Sequence, residues 1–480
     1  MAAFRLPAGG RIDRAQPISI RFNGRNLGGY AGDTVASLLL ANGIHHVARS
    51  FKYHRPRGIV SHGCDEPSAL LTVSRGPGRV DPNNRASTIE VCDGLDVSSQ
   101  NHWPSLNFDL AEINDTVAPL FAAGFYYKTF KWPRSFWDRL YEPAIRRLAG
   151  LGKAPEAPDP DRYTNRYAHC DVLVVGAGPA GIAAALAASA DASKRVILAD
   201  EGFALGGALL HDVTSLIDGG PAQQWLAKSV EMLSLCRNVT LLPRTTAFGY
   251  YNHNFIGLCE RISDHARDRN EGTARERLWQ VRAGRVVVAT GAHERPLTFA
   301  NNDRPGIMLA ESVRAFVNRW AVAPGRNIAV VTNGASAYRT ALDAKAAGLS
   351  VTIVDARNER DCGGELEAVR KAGIEVWPGH APKAARGRKR VSALEIESLD
   401  GGRSTVLPCD CVAMSGGWTP AVHLHSQSRG KPRFDFDIDA FIPGISVQQE
   451  CSVGAAKGSY ELAVCLAEGL KAGAEAAGTA

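Results

Sequence analysis

Gly176, Gly178 and Gly181 stand at the spacing of a backbone cradle for a pyrophosphate, directly after the apolar run 172–175 and with Pro179 and Ala180 between them. Each glycine has its own task. The first permits a tight turn, the second lets the backbone approach two phosphates, and the third lets a helix pack closely on the strand before it, with the helix N-terminus facing the anion. Asp200 ends a second strand, 195–200, at about the interval where a ribose hydroxyl acceptor is expected. Strand, turn, helix, strand and acid in that order describe a dinucleotide-binding βαβ unit with its helix over 182–190.

Further small residues return to the same place. Glu201 and the pair Gly206 and Gly207 follow the second strand, where backbone without side chains can pass close to a bound cofactor. Residues 285–296 form a buried strand ending in the turn Thr290 and Gly291, which resembles the ATG motif of two-domain flavoproteins. Near the C-terminus a turn over 452–458, containing Gly454, opens a helix expected over 460–473 whose N-terminus completes the first cofactor site. A second βαβ unit begins at 327, with Thr332 and Ala337 in two of the three glycine positions and an acid at Asp355. This unit is expected to keep the fold with weakened or absent nucleotide binding.

These elements need a scaffold. With 45% apolar and 22% charged residues the 480-residue chain reads as an ordinary globular protein of about three domains. A net charge of +6 without a dominant basic block argues against nucleic-acid binding, and the run 386–390 reads as a solvated hairpin end. No stretch suits a signal peptide or a membrane span, so a cytoplasmic location with no membrane partner is expected. The ten cysteines include no CxxC pair, which excludes the thiol chemistry of flavoprotein disulfide reductases. Cys409 and Cys411 are expected to pack on one face of a strand rather than bind metal.

Asn23 and Gly24 between alternating apolar residues predict a hairpin, and residues 33–43 a short helix capped by Asp33 and closed by Gly43. A hairpin, a helix and further strands give a β-grasp domain ending near residue 95, in the order of plant-type ferredoxins. The corresponding loop, 61–68, keeps one cysteine, Cys64, so a scaffold without a cluster is expected. Residues 125–141 then hold eight aromatics interleaved with Lys128, Lys131, Arg134 and Arg139. They could stack flat rings; the preferred reading is packing against another domain or subunit, with the cations outward. A proline-rich linker over 154–161 follows.

The fold class is therefore α/β: a flavoprotein-like Rossmann domain with an inserted second Rossmann-like domain, preceded by a β-grasp, ferredoxin-like domain without cluster. The expected domains are 1–95 for the β-grasp, 96–168 for connector and linker, 169–300 with 409–480 for the first dinucleotide-binding domain, and 301–408 for the second.

Residues 49–58, the aromatic block 125–141, the turn 176–181, and the stretches 289–296 and 415–425 together resemble the α-subunit family of heterotetrameric sarcosine oxidases over essentially the whole chain. The resemblance implies a complex in which a β-type subunit carries FAD and oxidises an N-methyl amino acid, with electrons passing to FMN at the subunit interface and on to oxygen. Smaller subunits would complete it. It implies a bound NAD, without redox role, held by Gly176, Gly178, Gly181, Asp200 and Glu201, with Gly206, Gly207, Thr290 and Gly291 close by; FAD in this site is the alternative. The family continues into a folate-binding, aminomethyltransferase-like domain, which this chain is expected to lack. Related complexes acting on opines, proline or glycine use a shorter α subunit, usually with cluster cysteines.

No catalytic acid, base or nucleophile is identified by spacing. His54, His293, His423 and His425 read as core or turn histidines, and Lys52, Arg55 and Arg57 either meet a flavin phosphate or are surface charges. Three alternatives remain open: a subunit of an opine-, proline- or glycine-type amine dehydrogenase, a self-contained FAD and NAD(P)H oxidoreductase, and a relic that binds a nucleotide without a partner.

Overall fold

The computed structural model describes residues 3–120, 132–148, 150, 152–266 and 272–479. The chain forms two compact units, one of Met1–Pro160 with Pro296–Gly416 and the other of Asp161–Arg295 with Gly417–Ala480.

In the first unit Asn23 and Gly24 both take left-handed φ, +47° and +78°, as a two-residue hairpin turn requires. They join Asp13–Phe22 to Arg25–Ala31, and the five-stranded sheet runs Arg25–Ala31, Asp13–Phe22, Asp96–Ser99, Leu70–Ser74, Val80–Arg85. Asp13–Phe22 and Asp96–Ser99 pair in parallel. The sheet thus needs residues beyond 95, the expected boundary, because the closing strand supplies the partner for the first. Across it lies the helix Val35–Ala41, every residue of which is buried. Its N-cap is Thr34 rather than Asp33: Thr34 and Ser37 form a reciprocal capping box, while Asp33 accepts from the Ser37 hydroxyl at 2.6 Å and pairs with Arg5.

The same unit carries the second βαβ element, in an all-parallel sheet ordered Ile307–Leu309, Cys411–Ser415, Asn327–Thr332, Ser350–Asp355, Glu375–Pro378. The β-grasp and this sheet share one core, in which Leu38 and Leu39 belong to the same buried cluster as Phe316, Trp320 and Tyr338. Segments 1–95 and 301–408, expected as separate domains, are therefore parts of one body. Cys409 and Cys411 also depart from expectation. Cys411 joins this shared core, whereas Cys409 packs with Val412 and Met414 in another cluster, because it precedes the strand and lies outside its alternation.

Of the aromatic block, residues 125–131 lie outside the described residues. Within the remainder, Trp132, Phe136 and Trp137 are exposed, and the Tyr141 hydroxyl donates to the Trp132 carbonyl at 3.0 Å.

His45 is buried beside Phe4, their rings edge to face at 5.3 Å, and neither ring nitrogen has a hydrogen-bond partner among the described residues. Burial, with Arg390 nearby, pushes its pKa down to about 3. The folded state thus holds His45 neutral where the unfolded chain would protonate it. The associated stability is complete above pH 6.5 and is lost as pH falls from there toward 3, by about 2 kcal/mol between pH 6.5 and 5. Urea midpoints at pH 7 and pH 5 should fall further apart in the wild type than in His45→Phe; equal pH dependence would refute the assignment.

The second unit is a sheet of seven strands. Its path runs Val239–Leu242, Val196–Ala199, Tyr163–Val175, Glu276–Val288, Phe255–Arg261, Thr245–Tyr251, and Glu450–Ser452 pairs in parallel with Glu276–Val288. The first four strands are parallel, and the order reverses beside Tyr163–Val175, which is where such sheets bind ligands at their carboxyl ends.

Candidate dinucleotide site

The strand Tyr163–Val175 breaks at Gly176, whose φ of +100° is a left-handed conformation that side chains disfavour. A Cβ there would sit 2.3 Å from the Ala289 carbonyl oxygen, and one on Gly181 would sit 1.8 Å from the Gly176 oxygen. Neither position admits any other residue. Gly178 differs: its φ is an ordinary −72°, it caps the helix Pro179–Ser189, and a Cβ there would meet nothing within 4 Å. The open space in front of Gly178 is where a pyrophosphate would approach, and the unpaired amides of the first helical turn face the same end. The helix begins at Pro179, earlier than the expected 182.

The other small residues converge on this turn. Gly206 donates its N–H to the Ala177 carbonyl at 2.8 Å, and Gly207, φ +53°, runs so close that a Cβ would lie 2.8 Å from the Gly178 Cα. Ala289 donates to the Val175 carbonyl at 2.8 Å, which sets Thr290 and Gly291 beside the turn; the Thr290 hydroxyl donates to the Ala421 carbonyl at 3.0 Å. Gly454, φ +63°, closes the other side, with a Cβ there 2.8 Å from that of Ala180.

Asp200 requires a correction. It does not present its carboxylate to a ribose: one oxygen accepts from the Ala177 N–H at 2.6 Å and the other from the Gly202 N–H at 2.8 Å, so it braces the glycine turn from behind. Glu201, the next residue, is exposed at the rim, and no hydrogen bond of its carboxylate is found among the described residues.

Two features were missed in the sequence. Glu468, in the closing helix Leu462–Ala477, accepts from the Gly454 N–H at 2.8 Å and from the Ser459 hydroxyl at 2.9 Å, and so shapes the last turn of the cradle. In the same helix a Cβ on Gly469 or Gly473 would lie 2.1 Å from the carbonyl oxygen of Ala180 or Ala184. Two small residues four apart were the available signal: they let this helix lie directly on the cradle helix. Cys465, nearby, has its thiol pushed up to about 11 by burial, and a protonated thiol is no nucleophile at neutral pH.

The remaining candidates fall elsewhere. Nδ1 of His54 contacts Asp109 at 2.6 Å, and Nδ1 of His425 contacts Glu450 at 2.7 Å, both pairs buried. The rings of His293 and His423 lie 6.0 Å apart, edge to face. Arg55 and Arg57 both pair with Asp303, and Arg55 also with Asp115, so two carboxylates face their two positive charges. Around the loop after the first helix, Glu66 is buried and accepts four backbone N–H groups, from Val60, Ser61 and Ser68 at 2.7 Å and Ala69 at 2.8 Å. Burial raises its pKa against the opposing pull of those amides. Among the described residues no group of three or more His, Cys, Asp or Glu is placed to hold a metal, and no helix is long and apolar enough to cross a membrane.

Comparison with known proteins adds the following. Residues 15–102 match a family described as a 2Fe-2S iron-sulfur cluster binding domain, and residues 170–461 match the pyridine nucleotide-disulphide oxidoreductases. The chain is 47% identical over 472 residues to a sarcosine oxidase subunit alpha of Rhizobium meliloti (strain 1021), covering 98% of this chain and 46% of the relative. It is 38% identical to a sarcosine oxidase subunit alpha of Corynebacterium sp. (strain U-96), covering 96% and 44%. It thus spans less than half the length of these relatives. L-proline dehydrogenase from P. horikoshii shares the fold at a TM-score of 0.67 and 20% identity, over 99% of this chain and 75% of that one.

Proposed function

Because this chain belongs to the pyridine nucleotide-disulphide oxidoreductase family, we propose that its first βαβ unit holds an adenine dinucleotide, NAD in preference to FAD, inside the α-type subunit of a multi-subunit oxidase. The substrate class is a sarcosine-like N-methyl amino acid, oxidised at its CH–NH bond. A β-type subunit would carry FAD, FMN would sit at the interface with this chain, electrons would pass to oxygen, and smaller subunits would complete the complex. The flavins supply the two-electron chemistry; the residues of this chain bind and orient.

The observation that carries the reading is the open face of Gly178 beside an exposed Glu201, with Gly207 and Gly454 closing the sides. A carboxylate at the rim suits the paired hydroxyls of an adenosine ribose and would repel a 2′-phosphate. The family's thiol chemistry does not fit, since the chain has no CxxC pair. Nor do the donors of residues 15–102 fit a [2Fe-2S] cluster: that segment contains only Cys64 and Cys92, and four ligands are needed. We therefore read this domain as a scaffold.

The test is to purify the chain with its native partners, denature it, and identify what is released. The expected result is one adenine dinucleotide per chain lacking isoalloxazine absorbance, separate from any flavin. Stoichiometric FAD belonging to this chain would instead favour the reductase-type reading, as would turnover of NADH or NADPH with artificial acceptors by the chain alone.

A further inference from the structure

Strands Arg433–Asp435 and Ala440–Ile442 form an antiparallel hairpin that turns apolar groups both inward and outward. In the second strand Ala440 and Ile442 are buried and Phe441 between them is exposed. The solvated face of such a pair ordinarily carries polar side chains. Here Phe441 stands opposite Phe434, their rings edge to face at 5.2 Å, and Phe436 meets Phe434 in the same way at 5.0 Å. Phe434, Phe436 and Phe441 are 37%, 88% and 54% exposed. At about 200 Å² for a whole phenylalanine they leave roughly 350 Å² of apolar surface open, as much as the largest patch on many monomers. Ile445 and Val447, next along the chain, are exposed as well.

This face is held still from behind. Gly444 donates its N–H to Nε2 of His425 at 3.2 Å, and a Cβ on Gly430 would lie 2.3 Å from the same ring, so the segment 430–444 begins and ends on one buried imidazole. The other ring nitrogen is taken by Glu450 at 2.7 Å. Toward the loop, Nη1 of Arg295 donates to the Asp439 carbonyl at 2.8 Å, and Ile438 and Ile442 pack on Gly458, where a Cβ would meet them at 2.9 and 3.1 Å. A hairpin fixed in this way loses little entropy on being covered.

The charge beside the rings points to what covers them. Asp437 and Asp439, in the loop joining the strands, are exposed, and no ion pair of either is found among the described residues; Asp435 pairs with Arg433 at 3.6 Å. A two-fold contact with a second copy of this chain would gather four unpaired carboxylates in one interface, and an anionic lipid surface would repel them. A different polypeptide with cations around an apolar patch is attracted instead. We propose that the face of Phe434, Phe436 and Phe441 is the docking surface for the FAD-carrying β-type subunit of the complex, whose Lys or Arg side chains pair with Asp437 and Asp439. The proposal rests on the multi-subunit reading above. A stable interface takes about 800 Å² from each partner, and the rings supply its apolar centre with acids at the rim.

The experiment is to purify the complex through a tag on this chain, count the FAD-carrying subunit retained, and measure its dissociation constant by sedimentation. Phe436→Glu should weaken that contact by a factor of at least about 30, whereas Phe436→Leu should keep it. Both variants should keep the wild-type circular dichroism, since the ring faces solvent. Asp437→Lys together with Asp439→Lys should also weaken the contact, and raised ionic strength should weaken the wild-type complex more than this variant. A complex that survives Phe436→Glu unchanged would overturn the docking surface alone. So would loss of a smaller subunit with the FAD-carrying one retained, or a dimer of this chain that Phe436→Glu dissolves while the FAD-carrying subunit stays bound. A wild-type chain that brings down no flavin subunit would overturn the multi-subunit reading itself, and the docking surface with it.

Discussion

Gly178→Val should empty the proposed dinucleotide cradle while leaving the fold intact. The backbone at 178 has an ordinary φ and a Cβ there meets nothing within 4 Å, so valine is accommodated by the protein itself. What it fills is the approach to the glycine turn, where a pyrophosphate must touch backbone. The expected loss is at least a factor of about 100 in affinity, roughly 2.8 kcal/mol. It is read as adenine released per chain on denaturation. Because a bound ligand raises stability by mass action, Tm should fall only to that of nucleotide-stripped wild type. Unchanged adenine content would remove the phosphate-turn assignment.

Gly473→Ala should destabilise the protein although the residue lies inside a helix. In an exposed helix the exchange is favourable by about 1 kcal/mol. Here the added carbon would lie 2.1 Å from the Ala184 carbonyl oxygen, a backbone atom that cannot swing aside. The helices Leu462–Ala477 and Pro179–Ser189 would have to separate, and overpacking of this kind costs about 1–3 kcal/mol. Gly473→Val should be worse. The cradle helix is displaced with it, so loss of nucleotide should accompany a lower urea midpoint. A higher midpoint for the alanine variant would sink the argument.

What could be read in advance follows from how local each determinant is. Gly176, Gly178 and Gly181 reveal themselves because a contiguous stretch must satisfy a strand, a turn and a helix start at once, and Asn23 and Gly24 because a two-residue hairpin demands left-handed backbone. The roles of Asp200 and Glu201 were not separable in sequence: neighbouring carboxylates differ only in which one the turn amides capture. Thr34 displaced Asp33 as cap for a similar reason, since both are good caps and Ser37 completes the box with only one of them. The union of segments 1–95 and 301–408 in one core depends on contacts such as the Trp320 indole donating to the Gly32 carbonyl at 3.0 Å, far apart in the chain. Gly469 and Gly473 carry a signal in their spacing, but its meaning depends on which helix lies opposite.

Glu66 has a consequence for how this protein comes into being. A loop gathered around four amide donors and one carboxylate is complete as soon as the chain folds, from atoms that translation alone provides. On the scaffold reading proposed above, it waits for no delivery of iron or sulfide by an assembly pathway. Its shape should be indifferent to chelators, to oxygen and to the metal supply of the cell that makes it.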